Sequence, residues 1–337
     1  MSEENNNIYW DYNKTMTYNA LFNFIIGNRG GGKTYGAKKF CINRFLKKGE
    51  QFMYVRRYKE ELKKKKQFFN DIAAEFQGHE FSVYNYEARI DKQTAGYFMP
   101  LSTSKIEKSV SFPKVTTIIF DEFILDKGTY HYLRDEVTHF LDLYETVARS
   151  RDNVRVLFLS NAITVTNPYF MYFNIHMPKN GKCFSYDKKR DILIELVQNE
   201  KFIEMKKNTR FGQLIAGTEY GNYAIDNTFL RDDYSFVEKK TGRCAFILGY
   251  SYKEKKYGIW KSLDTAKIYV SYDTQEVQFA LTLKDLSVDR VLFTKLSKTP
   301  FWFMERAFKV AELYFEDINI KNATLEIMKL YFQFKNL

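Results

Sequence analysis

Cysteine is scarce in this 337-residue sequence, and the three present, Cys41, Cys183 and Cys244, are an odd number without metal-ligand spacing. That usage argues against a disulfide framework and a structural zinc, and it suits a reducing compartment. Long apolar runs are missing too, none approaching the roughly 18 residues that a membrane-spanning helix needs. The opening Met1-Ser2-Glu3-Glu4-Asn5-Asn6-Asn7 is acidic and polar, where a secretory signal is basic and then apolar. No internal repeat and no low-complexity segment is visible. These absences predict a soluble, cytoplasmic protein.

What is present is a real core and an excess of positive charge. Apolar residues make up 45% of the chain and aromatics 18%, ample for one large or two ordinary domains. The net charge of +11 and a pI near 9.2 argue for a polyanionic partner, with nucleic acid the first candidate. An anionic membrane surface explains basicity as well.

The stretch Gly27-Asn28-Arg29-Gly30-Gly31-Gly32-Lys33-Thr34 satisfies G-x-x-x-x-G-K-[ST] at every fixed position. It reads as a P-loop whose backbone N–H groups cradle the phosphates of a nucleoside triphosphate, with ATP and Mg²⁺ as the expected ligands. Lys33 would reach the β- and γ-phosphates and Thr34 would place its hydroxyl on the metal. Context supports the motif: Leu21 to Ile26 is an apolar run of strand length, and a helix follows from Tyr35 to Lys47, closed by Gly49. Strand, glycine loop and helix are the arrangement such a loop requires.

Val115-Thr116-Thr117-Ile118-Ile119-Phe120-Asp121-Glu122 is a β-branched run ending in two adjacent carboxylates, as a Walker B strand does. Asp121 would hold Mg²⁺, directly or through water, and Glu122 is placed to polarise the attacking water as general base. Tyr132 to Arg149 reads as a helix with a packing stripe at Val137, Phe140, Leu141 and Tyr144. Its end carries Arg149 and Arg151, which either complement the helix dipole or supply a cation to a neighbouring subunit's phosphates, Arg149 being the better placed. A third buried strand, Val154 to Ala162, belongs beside the P-loop; its Ser160 and Asn161 either sense the γ-phosphate or cap the chain that follows.

Elsewhere the sequence is plainer. Ile8 to Thr17 is a Tyr-, Trp- and Asn-rich segment for the adenine side or a subunit contact. Gln51 to Arg57 is a strand ending in two arginines, followed by a basic helix from about Lys59 to Phe76. The run Lys63 to Lys66 within it is a solvated face or a phosphate-backbone contact. Phe81 to Ile90 and Thr94 to Met99 form a strand pair turning at Asp91-Lys92. Ser102 to Lys114 is a basic loop with Lys105 and Lys108. Ile192 to Val197 closes the sheet, so the first domain is expected over residues 1–200 and a linker over 201–231. Short aromatic strands at Ser235 to Glu238, Arg243 to Tyr252, Lys256 to Lys261 and Ala266 to Tyr272 predict an α+β module over 232–337, with helices over Pro300 to Phe315 and Ala323 to Phe334.

Taken with Tyr54-Val55-Arg56-Arg57-Tyr58, Asp121-Glu122-Phe123-Ile124, Asn167-Pro168-Tyr169-Phe170 and Thr209-Arg210-Phe211-Gly212, these motifs resemble the DNA-packaging ATPases of small short-tailed phages that use a packaging RNA. The resemblance covers most of the chain. It implies an α/β fold: a P-loop ATPase domain of the ASCE type with a mainly parallel sheet, then a smaller domain of RNase H-like fold. It implies a ring, usually a homopentamer, on the portal vertex of a procapsid in the host cytoplasm, absent from the mature virion. Double-stranded DNA, portal and packaging RNA are the implied partners, with no membrane. In that family Lys33 and Thr34 match the Walker A positions, with Gly27 to Tyr35 and Asn161 around the nucleotide. Asp121 and Glu122 match the Walker B pair, Arg149 the trans-acting finger, and Lys108 a second basic position acting between subunits. Large terminase relatives carry a metal-dependent nuclease in the second domain. Here Leu248-Gly249-Tyr250-Ser251-Tyr252 has no carboxylate where the first metal ligand belongs, and Asp264, Asp273, Asp285 and Asp289 fall mostly near turns, so a vestigial, inactive nuclease fold is expected. The alternatives are a single-strand helicase or remodelling ATPase, and a nucleotide-gated scaffold at the capsid vertex; a metabolic kinase is disfavoured by the Asp121-Glu122 pair.

Overall fold

Continuous apolar runs of strand length are what a parallel sheet buried on both faces demands, and such a sheet organises the first part of the molecule. The computed structural model describes residues 9–104, 110–125, 131–133, 135–162, 164, 167–173, 175, 177–178, 183–197, 199–218, 221, 236–282, 290–292, 302–310 and 312–335. The chain divides into two units, Met1–Arg231 and Asp232–Leu337.

The first unit has strands β1 (Phe22–Gly27), β2 (Gln51–Arg56), β3 (Phe81–Tyr84), β4 (Glu87–Ile90), β5 (Gln93–Pro100), β6 (Val115–Asp121), β7 (Arg155–Asn161), β8 (Phe184–Asp187) and β9 (Ile192–Val197) in one nine-stranded sheet ordered β3-β4-β5-β2-β6-β7-β1-β9-β8. The central six, β5-β2-β6-β7-β1-β9, are parallel. The outer β3, β4 and β8 pair antiparallel. Every residue of β1 is buried, including Asn23, whose amide donates to Ala20 O at 3.0 Å and Val156 O at 3.2 Å. As expected of an ASCE-type ATPase, β7 separates the strand that ends in Gly27 from the strand that ends in Asp121.

Helices α1 (Tyr12–Thr17), α2 (Lys33–Lys48), α3 (Glu136–Ala148), α4 (Pro168–Phe173), α5 (Glu200–Lys207) and α6 (Arg210–Ile215) accompany this sheet. α2 stops at Gly49, whose φ of 68° lets its N–H return to Phe45 O at 2.7 Å. One side of the sheet is an aromatic stack in which Phe24 lies flat on Phe158 at 4.4 Å and Phe140 of α3 lies on Phe120 at 5.5 Å. The other side gathers Phe40, Cys41, Phe52, Phe68 and Phe98 beneath α2.

Three expectations are corrected. The basic helix over 59–76 is instead a chain of 3₁₀ turns at Lys59–Leu62, Lys65–Gln67 and Ala73–Glu75. The adjacent Phe68 and Phe69 are both buried, which successive positions of an α-helix, some 100° apart, serve poorly. The strand over 81–90 breaks at Asn85, whose φ of 51° suits asparagine, and becomes the hairpin β3–β4. The helix over 300–315 ends at Lys309, and Leu313–Phe315 becomes a strand whose alternating burial has the period of a sheet.

The second unit holds β10 (Cys244–Tyr252), β11 (Lys255–Ser262), β12 (Ile268–Ser271), β13 (Phe279–Thr282), β14 (Arg290–Leu292) and β15 (Leu313–Phe315), ordered β14-β13-β10-β11-β12-β15, with helices Trp302–Lys309 and Ile318–Lys335. β10, β11 and β12 form an antiparallel meander, and β13 and β14 add parallel on the far side of β10. That is the strand arrangement of an RNase H-like sheet. Lys253 and Glu254, both at positive φ, close the β10–β11 hairpin. Of Ser235 to Glu238, the described part contributes a single bridge from Val237 to Phe315.

Candidate nucleotide site at the carboxyl edge of the parallel sheet

The sheet order brings the ends of β1, β7, β6 and β2 side by side, and each supplies a polar group. β1 ends in Gly27, whose missing side chain matters because a Cβ there would meet Val197 Cβ at 2.7 Å. The loop then turns through Gly30 and Gly32, at φ of 82° and 80°, and Lys33 opens α2. Lys33 is buried, and its Nζ donates to Gly27 O at 3.0 Å, Asn28 O at 2.7 Å and Asn161 Oδ1 at 3.3 Å. All three acceptors are neutral. Burial draws the ammonium's pKa down to about 8, Asp121 works against that, and Lys206 adds to it.

Thr34 Oγ1 lies 3.2 and 3.1 Å from the two Asp121 oxygens, so one hydroxyl and one carboxylate meet at a single point. Hard oxygen donors of this kind suit Mg²⁺. Tyr54 at the end of β2 donates its hydroxyl to Asp121 Oδ2 at 2.7 Å. Burial and the Asp121 charge raise the Tyr54 pKa well above its usual value, so the phenol remains a donor. Glu122 follows with φ of 56°, and its half-exposed carboxylate receives Arg56 Nη2 at 2.5 Å. The same guanidinium reaches Glu61 at 2.8 Å and stands 3.9 Å from Asp121.

Arg57 faces inward. It grips Glu136 at 2.7 and 2.9 Å and donates to Glu122 O at 3.2 Å and Phe123 O at 2.8 Å. Both members of that ion pair have 0% side-chain exposure, and Tyr169 OH and Leu133 N complete the carboxylate's bonds. The pair fastens the turn after Asp121 to the amino end of α3.

Two further segments border the loop. Trp10 N donates to Gly31 O at 2.9 Å, and the buried Glu195 accepts Trp10 Nε1 at 3.0 Å and Thr15 Oγ1 at 2.5 Å, so the amino-terminal segment is strapped over the loop. An open cleft of about 870 Å³ lies between that strap and α2, lined by Tyr9, Asp11, Tyr12, Tyr35 and Lys39 among others. From the other direction α5 brings Lys206 Nζ to Arg29 O at 2.7 Å.

The structure thus gathers Gly27 to Tyr35, Asp121, Glu122 and Asn161 at one edge. Arg149 is not among them: it caps the carboxyl end of α3 at φ of 51°, exposed, about 20 Å of helix away from Glu136. Lys105 and Lys108 lie outside the described residues. Ser160 is buried, and its hydroxyl has no hydrogen-bond partner among the described residues. Sequence reasoning missed Tyr54, Arg56, Arg57, Glu195 and Lys206 as members of this site; the paired arginines ending a strand were the available signal for the second and third. Among the described residues, no three His, Cys, Asp or Glu side chains gather as a metal cluster.

The family model for the podovirus DNA encapsidation protein (Gp16) matches residues 4–332. The chain belongs to this family. It is 44% identical over 287 residues to the DNA packaging protein of Bacillus phage B103, spanning 84% of this chain and 88% of that protein. It superposes on a chain of the bacteriophage phi29 viral genome packaging motor assembly with a TM-score of 0.77 and 38% identity, covering 96% of this chain and 99% of that one. The N-terminal domain of the phi29 DNA packaging ATPase is similar at 47% identity and a TM-score of 0.54, over 58% of this chain and 98% of that one. As a member of that family it is a DNA encapsidation protein.

Proposed function

We propose that this packaging protein hydrolyses ATP and that turnover drives double-stranded DNA into a procapsid, from a ring of identical subunits, five by family resemblance, seated on the portal with packaging RNA. The observation that carries the reading is Lys33: a buried ammonium held by neutral oxygens at the mouth of a glycine loop, beside a hydroxyl–carboxylate pair. A polyanion with an attached divalent cation answers both features. Thr34 and Asp121 would hold Mg²⁺, which when bound neutralises charge on the β- and γ-phosphate oxygens. Tyr54 orients Asp121. Glu122 orients the attacking water once Arg56 releases it. Arg149, far along α3 from its own chain's loop, serves a neighbour's phosphates, and Lys108 acts likewise between subunits. The second unit works as a binding module without nuclease activity, because β10 carries Tyr250 and Tyr252 where cleavage needs convergent carboxylates.

The test is ATP turnover with and without long duplex DNA at low salt, with Lys33→Ala as blank and procapsids in a second series. Stimulation by duplex DNA, larger with procapsids and weakening steeply with salt, is expected, and loss of at least ~100-fold in the blank. Tight ATP binding with no turnover under any condition would move the reading to a nucleotide-gated scaffold, and dependence on single-stranded ends would move it to a helicase.

A further inference from the structure

The segment after β9 has the composition of a linker, yet α5 packs on the phosphate loop. Asn199 caps it by accepting from Phe202 N at 3.1 Å, and Phe202 is buried, with its ring 6.3 Å from Tyr9. A Cβ on Gly30 would lie 3.7 Å from the same ring. One turn further on, Lys206 donates to Arg29 O at 2.7 Å, the third residue of the loop. Lys33, Arg29 and Lys206 therefore place three cationic side chains about one loop, and the first and last are close enough to feel each other's charge. Asp121 is the acid set against Lys33. Like charges gathered in this way repel unless an anion joins them.

We infer that Lys206 is a phosphate-binding residue that exchanges the Arg29 carbonyl for an oxygen of the bound nucleoside triphosphate, making α5 the element that reports nucleotide occupancy. This rests on the ATP reading of the loop and extends it to a residue outside the P-loop and Walker B motifs. A lysine ammonium is a compact point charge on a flexible stem with three donors, so a turn of the side chain can trade the carbonyl for a phosphate oxygen. The ligand class is the phosphate chain, with the triphosphate preferred to the diphosphate because it carries the more remote charge.

The test uses the full chain with Mg²⁺, and titrates ATP and ADP by calorimetry into the wild type, Lys206→Gln, Lys206→Arg and Lys207→Gln. Loss of one charge-assisted hydrogen bond predicts ATP binding about 10-fold weaker in Lys206→Gln, with a smaller change for ADP. Lys206→Arg should stay within about threefold of the wild type, since it keeps the charge and the reach. Lys207→Gln removes the same charge one position along the helix, and near-wild-type affinity there separates a contact from a general field. Amide exchange over residues 200–207 should slow on ATP addition in the wild type and in Lys206→Arg, and not in Lys206→Gln. Unchanged ATP affinity and unchanged exchange protection in a folded Lys206→Gln would overturn the inference while Lys33→Ala still loses binding. Absence of ATP binding by the folded wild type would overturn both this and the ATPase reading.

Discussion

The two units set acidic side chains to opposite uses. In the first, β6 ends in Asp121, with Glu122 next, and the two carboxylates are met by Thr34 from α2 and by Tyr54 and Arg56 from β2. In the second, β10 presents Tyr250 and Tyr252, and Tyr250 is fully buried, stacked on Tyr257 at 5.2 Å. Among the described residues of that unit, acids form ion pairs: Asp264 with Arg243, Asp273 with Lys240, Glu238 with Lys267. β10 thus carries aromatic rings where β6 carries a carboxylate. A fold and its chemistry are separable, and the separation is visible strand by strand.

The comparison breaks most easily at Arg57. Arg57→Ala leaves Glu136 buried without its cation, and a loss of about 3–5 kcal/mol is expected in the unfolding of the first unit, read by chemical denaturation. An unchanged midpoint would mean that the turn after Asp121 is held by something other than this pair. A sharper contrast comes from Gly249→Ala in the second unit. The new Cβ would fall 1.7 Å from Glu276 O, a backbone atom, so β10 must shift, at a cost of about 1–3 kcal/mol. ATP binding should be untouched by it; a parallel loss of nucleotide affinity would contradict the assignment of nucleotide chemistry to the first unit alone.

The smallest effect concerns Glu195. Burial pushes its pKa from 4.5 up to about 7, with Thr15, Trp10 and Lys14 opposing and Asp11 adding. The folded state therefore binds a proton that the unfolded state releases, and stability falls as pH rises between the two values. The contribution is full below pH 4.5 and lost through pH 7. Thermal unfolding at pH 5 and pH 8 should show this slope in the wild type and a flatter one in Glu195→Gln. Equal slopes would sever the link between Glu195 and the strap carrying Trp10.

Much of the site was readable in the residues because its motif members are local. Gly27 to Thr34 fixes a loop by its own glycines, and Val115 to Asp121 declares a buried strand by its own branching. The position of β7 beside β1 followed from those two. The partners that were not read are long-range: Tyr54 meets Asp121 67 residues on, Lys206 meets Arg29 across 177, and Trp10 meets Glu195 across 185. No periodicity encodes such encounters. A lysine in a charged helix and a tryptophan near the amino end have many ordinary settings, and only the sheet order selects these. The turns over 59–76 failed for a related reason, since a buried Phe68–Phe69 pair and the Lys38 ammonium on Phe68 O belong to tertiary packing rather than to local propensity.

The place of β1 in the sheet also fixes when the molecule acquires its site. Phe22–Gly27 pairs with Arg155–Asn161 on one side and Ile192–Val197 on the other, and with no strand made earlier. At synthesis rates of about 5–20 residues per second, the run that precedes the glycine loop waits on the order of ten seconds for its first neighbour. During that interval Phe22, Phe24, Ile25 and Ile26 are a nascent apolar segment without a sheet. The phosphate loop, near the beginning of the chain, is among the last parts of the first unit to take shape.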